Sequence, residues 1–174
     1  MFGIFRRDPY KAQAAQLYAV LAEQARQRAF FAELGVPDTV DGRFDLLSLH
    51  TALAIDRLAG DTDGVAFSQS LFDAMFRHLD LALREMGVQD LGVGRRIKIM
   101  AAGFHGRSLA LREALKGDDQ ALAAVLTRNV FGAVTTPPAG PTVRLGAYVR
   151  ATANRLALHS RQEILSGKID FPTI

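Results

Sequence analysis

An all-α fold is what this sequence predicts, and three observations carry it. The 174 residues show no alternating apolar and polar runs flanked by tight-turn dipeptides, which would mark strands. Apolar residues instead recur three and four apart, the period of one helix face. Glycines and prolines fall where such runs stop, as at helix ends. A chain of this length can bury a sizeable core. Residues 1–174 are therefore read as a single compact domain of about six helices, two of them long, with an extended C-terminal tail.

The first helix is expected to use Asp8 as N-cap and to take Pro9 into its first turn. Leu17, Tyr18, Leu21, Ala25 and Ala29 form its inner face, and it ends or bends before Gly35. The stretch GVPDT is a turn, because Pro37 pushes Val36 out of helical geometry. The second helix has Asp41 as N-cap beside Gly42, with Arg43 and Asp45 as helix-start charges. It buries Phe44, Leu47, Leu53 or Ala54, and Leu58, and it closes at Gly60 before a DTDG loop. The third helix runs from about Val65 to Met86 and has the clearest amphipathic pattern, formed by Phe72, Met75, Phe76, Leu79, Leu83 and Met86. Gly87 is placed to be its C-cap.

The fourth helix follows a glycine-assisted turn at Gly92 and Gly94, and Ile97, Met100, Phe104, Leu111 and Leu115 mark its apolar face. After Gly117, Asp118 and Asp119 open a short fifth helix with Leu122, Val125 and Leu126 inward. VTTPPAGPTV is a proline-rich loop. The last helix spans about Thr142 to Leu165 and carries Leu145, Tyr148, Val149 and Leu156. The tail GKIDFPTI is extended and packs back on the body. Residues 1–8 are read as a disordered start.

Composition narrows the class. Apolar residues make up 49% and charged residues 22%, as in an ordinary globular protein. The absence of cysteine excludes disulfides and thiolate metal sites and fits a cytosolic protein. Apolar runs are too short for a membrane-spanning helix. MFGIFRRDPYK places apolar residues ahead of charges, the reverse of a secretory signal. Its two phenylalanines beside Arg6 and Arg7 could serve as a weak anchor on anionic lipid. Charge is unevenly distributed. Residues 31–90 carry eleven acidic against four basic residues, whereas 91–117 carry six basic against one acidic. Either the two segments pack on each other or they steer a charged partner.

No catalytic constellation emerges. REMGVQDLGVGRRIKIMAAGFHGR, from Arg84 to Arg107, is rich in glycine and basic residues, yet it follows a helix and leads into another. A Walker loop needs GxxxxGK after a strand, but Val93 follows Gly92. A dinucleotide fingerprint needs a third glycine where Ile97 stands. His50, His78, His105 and His159 lack metal-binding spacing, and the serines lack a nucleophile-elbow context. No cofactor or metal is called for. The basic residues of helix 93–116 leave open a second reading, a small helical regulator that binds nucleic acid, although no known reading motif surrounds them.

ELGVPDTVDGRFDLLSLHTAL (Glu33 to Leu53), LREMGVQDLGVGRRIKIMAAGFHGR (Leu83 to Arg107) and the closing LSGKIDFP (Leu165 to Pro172) together resemble the ubiquinol–cytochrome c chaperone family. One departure shows: His105 follows Phe104 where the family pattern has a tyrosine. The resemblance implies a non-enzymatic assembly factor for respiratory complex III that binds newly made cytochrome b. It also implies a small partner protein and contact with the ribosome. Without a long targeting presequence, the chain reads as a bacterial member, working in the cytoplasm at the periphery of the inner membrane. Nucleic acid is not expected as a partner on this reading. The expected partner-binding residues are Asp90, Arg95, Arg96, Lys98 and Arg107 on a groove rim, with Gly92 and Gly94 shaping the turn.

Overall fold

The computed structural model describes residues 8–60, 62–136 and 139–174. Residues 1–7 of the expected disordered start, with the lipid-anchor motif at Arg6 and Arg7, lie outside the described residues, whereas its last residue, Asp8, is placed and hydrogen-bonded. Eight helices and no strand are present among the described residues: α1 (Lys11–Ala25), α2 (Arg28–Ala32), α3 (Val40–Leu58), α4 (Thr62–Glu85), α5 (Asp90–Lys116), α6 (Asp119–Asn129), α7 (Ala139–Leu158) and α8 (Arg161–Leu165). The all-α expectation holds, and the six longer helices are the six read from the sequence. None of the helices is long and apolar enough to cross a membrane.

Several boundaries differ from the sequence reading. α1 opens at Lys11, two residues beyond Pro9, and its N-cap is Tyr10. The Asp8 carboxylate accepts from the Tyr10 amide at 2.9 Å and from the Ser70 hydroxyl of α4 at 2.8 Å. It ties the entering chain to a neighbouring helix instead of capping. The expected continuation through Ala29 breaks at Gln27, whose extended backbone redirects α2 so that Phe30 is fully buried. The N-cap of α3 is Thr39, not Asp41: its hydroxyl accepts from the Gly42 amide at 3.1 Å. Gly42 has a steric reason as well, since a Cβ there would overlap the Pro37 carbonyl oxygen.

The expected DTDG loop is shorter than read, because Asp63 and Gly64 already belong to the first turn of α4. Gly87, at φ +83°, makes the α4–α5 turn as expected. The second glycine-assisted turn does not exist. α5 starts at Asp90, so Gly92 and Gly94 are helical. Asp118 caps α6 through the Ala121 amide at 2.8 Å. The last helix is divided. α7 begins at Ala139, with Pro141 tolerated in its first turn, and ends at Leu158. Ser160 and Glu163 then form a capping box that starts α8.

α3 is the central element. Ser48 to Ala54 are buried without interruption, as befits a helix covered on all sides. It packs on α1, α4, α5 and α7. The main apolar cluster gathers Phe30, Leu46, Met75, Phe104, Phe131 and Leu145. A second joins Leu17, Leu21, Ala54, Leu58, Phe67, Leu71 and Ile164. Tyr18, Ile55 and Ile169 touch both. The extended tail packs back as expected, with Phe171 on the second cluster and Ile174 on the first.

Candidate partner-binding site

The charge asymmetry resolves into contacts between α3 and α5. Arg96 donates to Asp41 at 2.8 Å, and Arg107 and Arg112 engage Asp45 and Asp56. Partner numbers rise together along both helices, so α3 and α5 run in the same direction, with α4 as the return. Lys116 pairs with Glu113 within α5. The acidic and basic segments thus pack on each other, the first of the two readings of the charge pattern. Exposed pairs of this kind contribute only about 0.2–1 kcal/mol each. The Asp45 side chain is only 16% exposed. Burial pushes its carboxyl up to about 6, although the Arg107 guanidinium pulls the other way.

The Arg96–Asp41 and Arg107–Asp45 pairs border an open cleft of about 520 Å³ between α3, α5 and the end of α6. Phe44, Ile99 and Met100 give it an apolar surface, and Asp41, Arg96, Asp45, Arg107 and Arg128 give it a polar rim. Ile99 is 63% exposed, unusual for isoleucine. Gly103 carries no side chain to obstruct the cleft, and nothing would touch a Cβ there.

The seven residues expected from the sequence do not share one surface. Arg96 and Arg107 line this cleft. Arg95 and Lys98 are exposed on α5 and make no ion pair among the described residues. Asp90 sits in the first turn of α5, where the Arg84 guanidinium, also bound to Asp80, holds it. Gly92 and Gly94 shape no turn, and Gly94 has open space around it.

Sequence reasoning missed a second groove, of about 250 Å³, between α1, α3 and α4. Leu47, Leu79, Ala82 and Met86 line it, with Arg26 and Arg43 also on its walls. The rings of Tyr18 and His78, also in its lining, stack at 4.6 Å. It escaped notice because its lining comes from three separate helices, each of which shows the sequence only an ordinary apolar face.

The four histidines have structural surroundings. His50 is fully buried. Its Nδ1–H donates to the Leu46 carbonyl at 2.7 Å, and its Nε2 accepts from the Tyr148 hydroxyl at 2.8 Å. Gln24 donates to the same hydroxyl at 3.0 Å. Burial lowers His50 to about 4 and raises Tyr148 to about 12, so both are neutral. His78 stacks on Tyr18, and His159 meets Asp170 at 2.7 Å. His105 stacks on Phe72 at 5.1 Å, so this position still presents a flat ring to its neighbour. Among the described residues no three histidine, aspartate or glutamate side chains converge as a metal site would require.

Comparison with known proteins places this architecture. Residues 32–171 match the family model for the ubiquinol-cytochrome C chaperone. The chain is 24% identical over 161 residues to the ubiquinol-cytochrome c reductase complex assembly factor 1 of Mus musculus, with 91% of the chain covered. It is 23% identical over 161 residues to the Xenopus laevis protein, again with 91% covered. It spans 54% of the mouse protein's length and 80% of the frog protein's. The crystal structure of the Cbp3 homolog from Brucella abortus superposes with a TM-score of 0.81 at 38% identity, covering 97% of this chain and 94% of that one. The matched segment begins in α2 and ends in the C-terminal tail, taking in the α3–α5 cleft and the helices that frame it, and the chain belongs to the ubiquinol-cytochrome C chaperone family.

Proposed function

We propose that this chain is a non-enzymatic assembly factor for ubiquinol–cytochrome c reductase, respiratory complex III, and that its client is newly made cytochrome b. The match of residues 32–171 to the chaperone family carries the reading, supported by relatives that are named as assembly factors of that complex. The work belongs at the cytoplasmic periphery of the inner membrane, with a small partner protein and the ribosome as further contacts.

The α3–α5 cleft is the client site in this proposal. An amphipathic client helix would bury its apolar face against Phe44, Ile99 and Met100. Met100 adds an adaptable side chain suited to unlike segments. Arg96, Arg107 and Arg128 stand at the rim, where charge favours orientation and encounter rate over affinity. Moderate affinity suits a chaperone, which must release its client.

The test is deletion of the gene in its own host, with cytochrome b haem and complex III activity measured in the membrane. Complementation by the wild type should restore both. Complementation by Ile99→Glu/Arg128→Glu should fail while the variant accumulates normally. Normal complex III without the gene would sink the assembly reading. Full rescue by the double variant would remove the client from this cleft.

A further inference from the structure

We infer that the outer face of α5 is a docking surface for an anionic lipid bilayer. Between Leu91 and Gly117 there are six basic residues. Arg96, Arg107 and Arg112 are drawn to α3, and Lys116 to Glu113. Arg95 and Lys98 make no ion pair among the described residues. They stand three apart, so they share one face of the helix.

That face continues in register. Leu91, Arg95, Lys98, Ala102 and Leu109 lie at helical intervals along one stripe, and all five are exposed. Leu91 is 93% exposed and Leu109 57%, so large aliphatic side chains stand in water at both ends of the stripe. No carboxylate occurs on α5 from Leu91 to Arg112. The acidic residue just before the stripe, Asp90, is held by Arg84.

Cations beside exposed aliphatics on one helical face suit the bilayer interface. There the aliphatic groups enter the acyl boundary and the cations meet anionic headgroups. Nucleic acid would use the cations but would leave Leu91 and Leu109 in contact with water or phosphate. The stripe therefore favours lipid over the basic-helix regulator. This inference supplies a contact surface for the peripheral location proposed above, and for that location it rests on the assembly reading. The binding itself rests on α5 alone, so a lipid-binding measurement and the complex III measurement can fail separately.

The test uses the purified full chain and vesicle flotation. Vesicles of phosphatidylcholine alone are compared with vesicles that also contain phosphatidylglycerol, and a short DNA duplex and a short RNA duplex serve as alternative ligands. The chain should float with the anionic vesicles only, and added salt should release it. Arg95→Ala/Lys98→Ala should weaken partitioning roughly thirtyfold, at about fivefold per cation removed. Leu91→Ser should weaken it by about tenfold with helicity unchanged by circular dichroism. The charge-reversed control Arg6→Glu/Arg7→Glu should retain the effect of the α5 substitutions. Equal binding to both vesicle types would overturn the inference. So would anionic binding that survives Arg95→Ala/Lys98→Ala, binding abolished by Arg6→Glu/Arg7→Glu alone, or binding to the duplexes in preference to vesicles.

Discussion

Replacing Tyr148 by phenylalanine removes one oxygen from a chain of three hydrogen bonds that runs into the core. The phenol accepts from Gln24 and donates to His50 Nε2, and the opposite ring nitrogen donates to the Leu46 carbonyl. The ring itself stays, with its edge contacts to Phe30 at 5.1 Å and to His50 at 5.7 Å. Gln24 is only partly buried and can turn to water. His50 is 1% exposed and cannot. The cost is therefore that of one buried acceptor left without a donor, about 1–3 kcal/mol. For a chain of this size that lowers the melting temperature by roughly 2–4 °C per kcal/mol. Urea unfolding followed by circular dichroism near neutral pH measures it. His50→Leu/Tyr148→Phe removes donor and acceptor together and should cost less than the two single changes combined. The same network predicts a pH dependence. His50 titrates at about 4 in the fold against 6.5 when free. Its neutral form is favoured by folding, so this stability is complete above 6.5 and is lost as pH falls toward about 4. His50→Leu should flatten that slope. A Tyr148→Phe cost below about 0.5 kcal/mol, or strict additivity in the double variant, would refute the reasoning.

Asp45 titrates at about 6 in the fold against 3.8 when free, so its charge opposes folding as pH rises through about 6. Asp45→Asn should gain on the wild type as pH rises from about 4 to about 6 and keep that gain at higher pH. The upper bound is about 3 kcal/mol, reduced by solvent at the cleft mouth, and a pH-independent difference in chemical denaturation would refute it. Gly42→Ala should destabilise by about 1–3 kcal/mol because its Cβ meets the Pro37 carbonyl. Gly94→Ala, in open space within α5, should stabilise by about 0.5–1 kcal/mol. Thermal melts compare the two, and a loss at Gly94 would show that its glycine serves something other than the helix.

Helix faces were readable because burial imposes a period on the residues themselves. Phe72, Met75, Phe76 and Leu83 pack as their spacing requires. Gly87 and Asp118 were readable because their chemistry acts within a few residues. The capping box at Ser160 was equally local and was overlooked within an apolar run that continued past it. The break at Gln27 has no local sign, since neither glycine nor proline marks it, and it serves the burial of Phe30 against Tyr148 and His50. Gly92 and Gly94 misled for the opposite reason. Their local preference for turns is about 1 kcal/mol each, less than what α5 gains by packing Val93 and Phe104 from one continuous helix. The candidate site was legible only as a charge imbalance. Its pairs join residues 55, 62 and 56 positions apart, and only the alignment of α3 with α5 decides which arginine finds which aspartate.

The meeting of α1 with the last residues has a kinetic meaning. Gln16 donates to the Ser166 carbonyl at 2.9 Å, and Gly167, at φ +69°, lies against Val20. Ile164, with no exposed surface, completes the apolar cluster begun by Leu17 and Leu21. During synthesis the early helices therefore wait with one apolar side open until α8 and the turn after it have emerged. An apolar face formed early in the chain is thus closed by a segment made much later, and the protein passes through an open, half-covered state of its own.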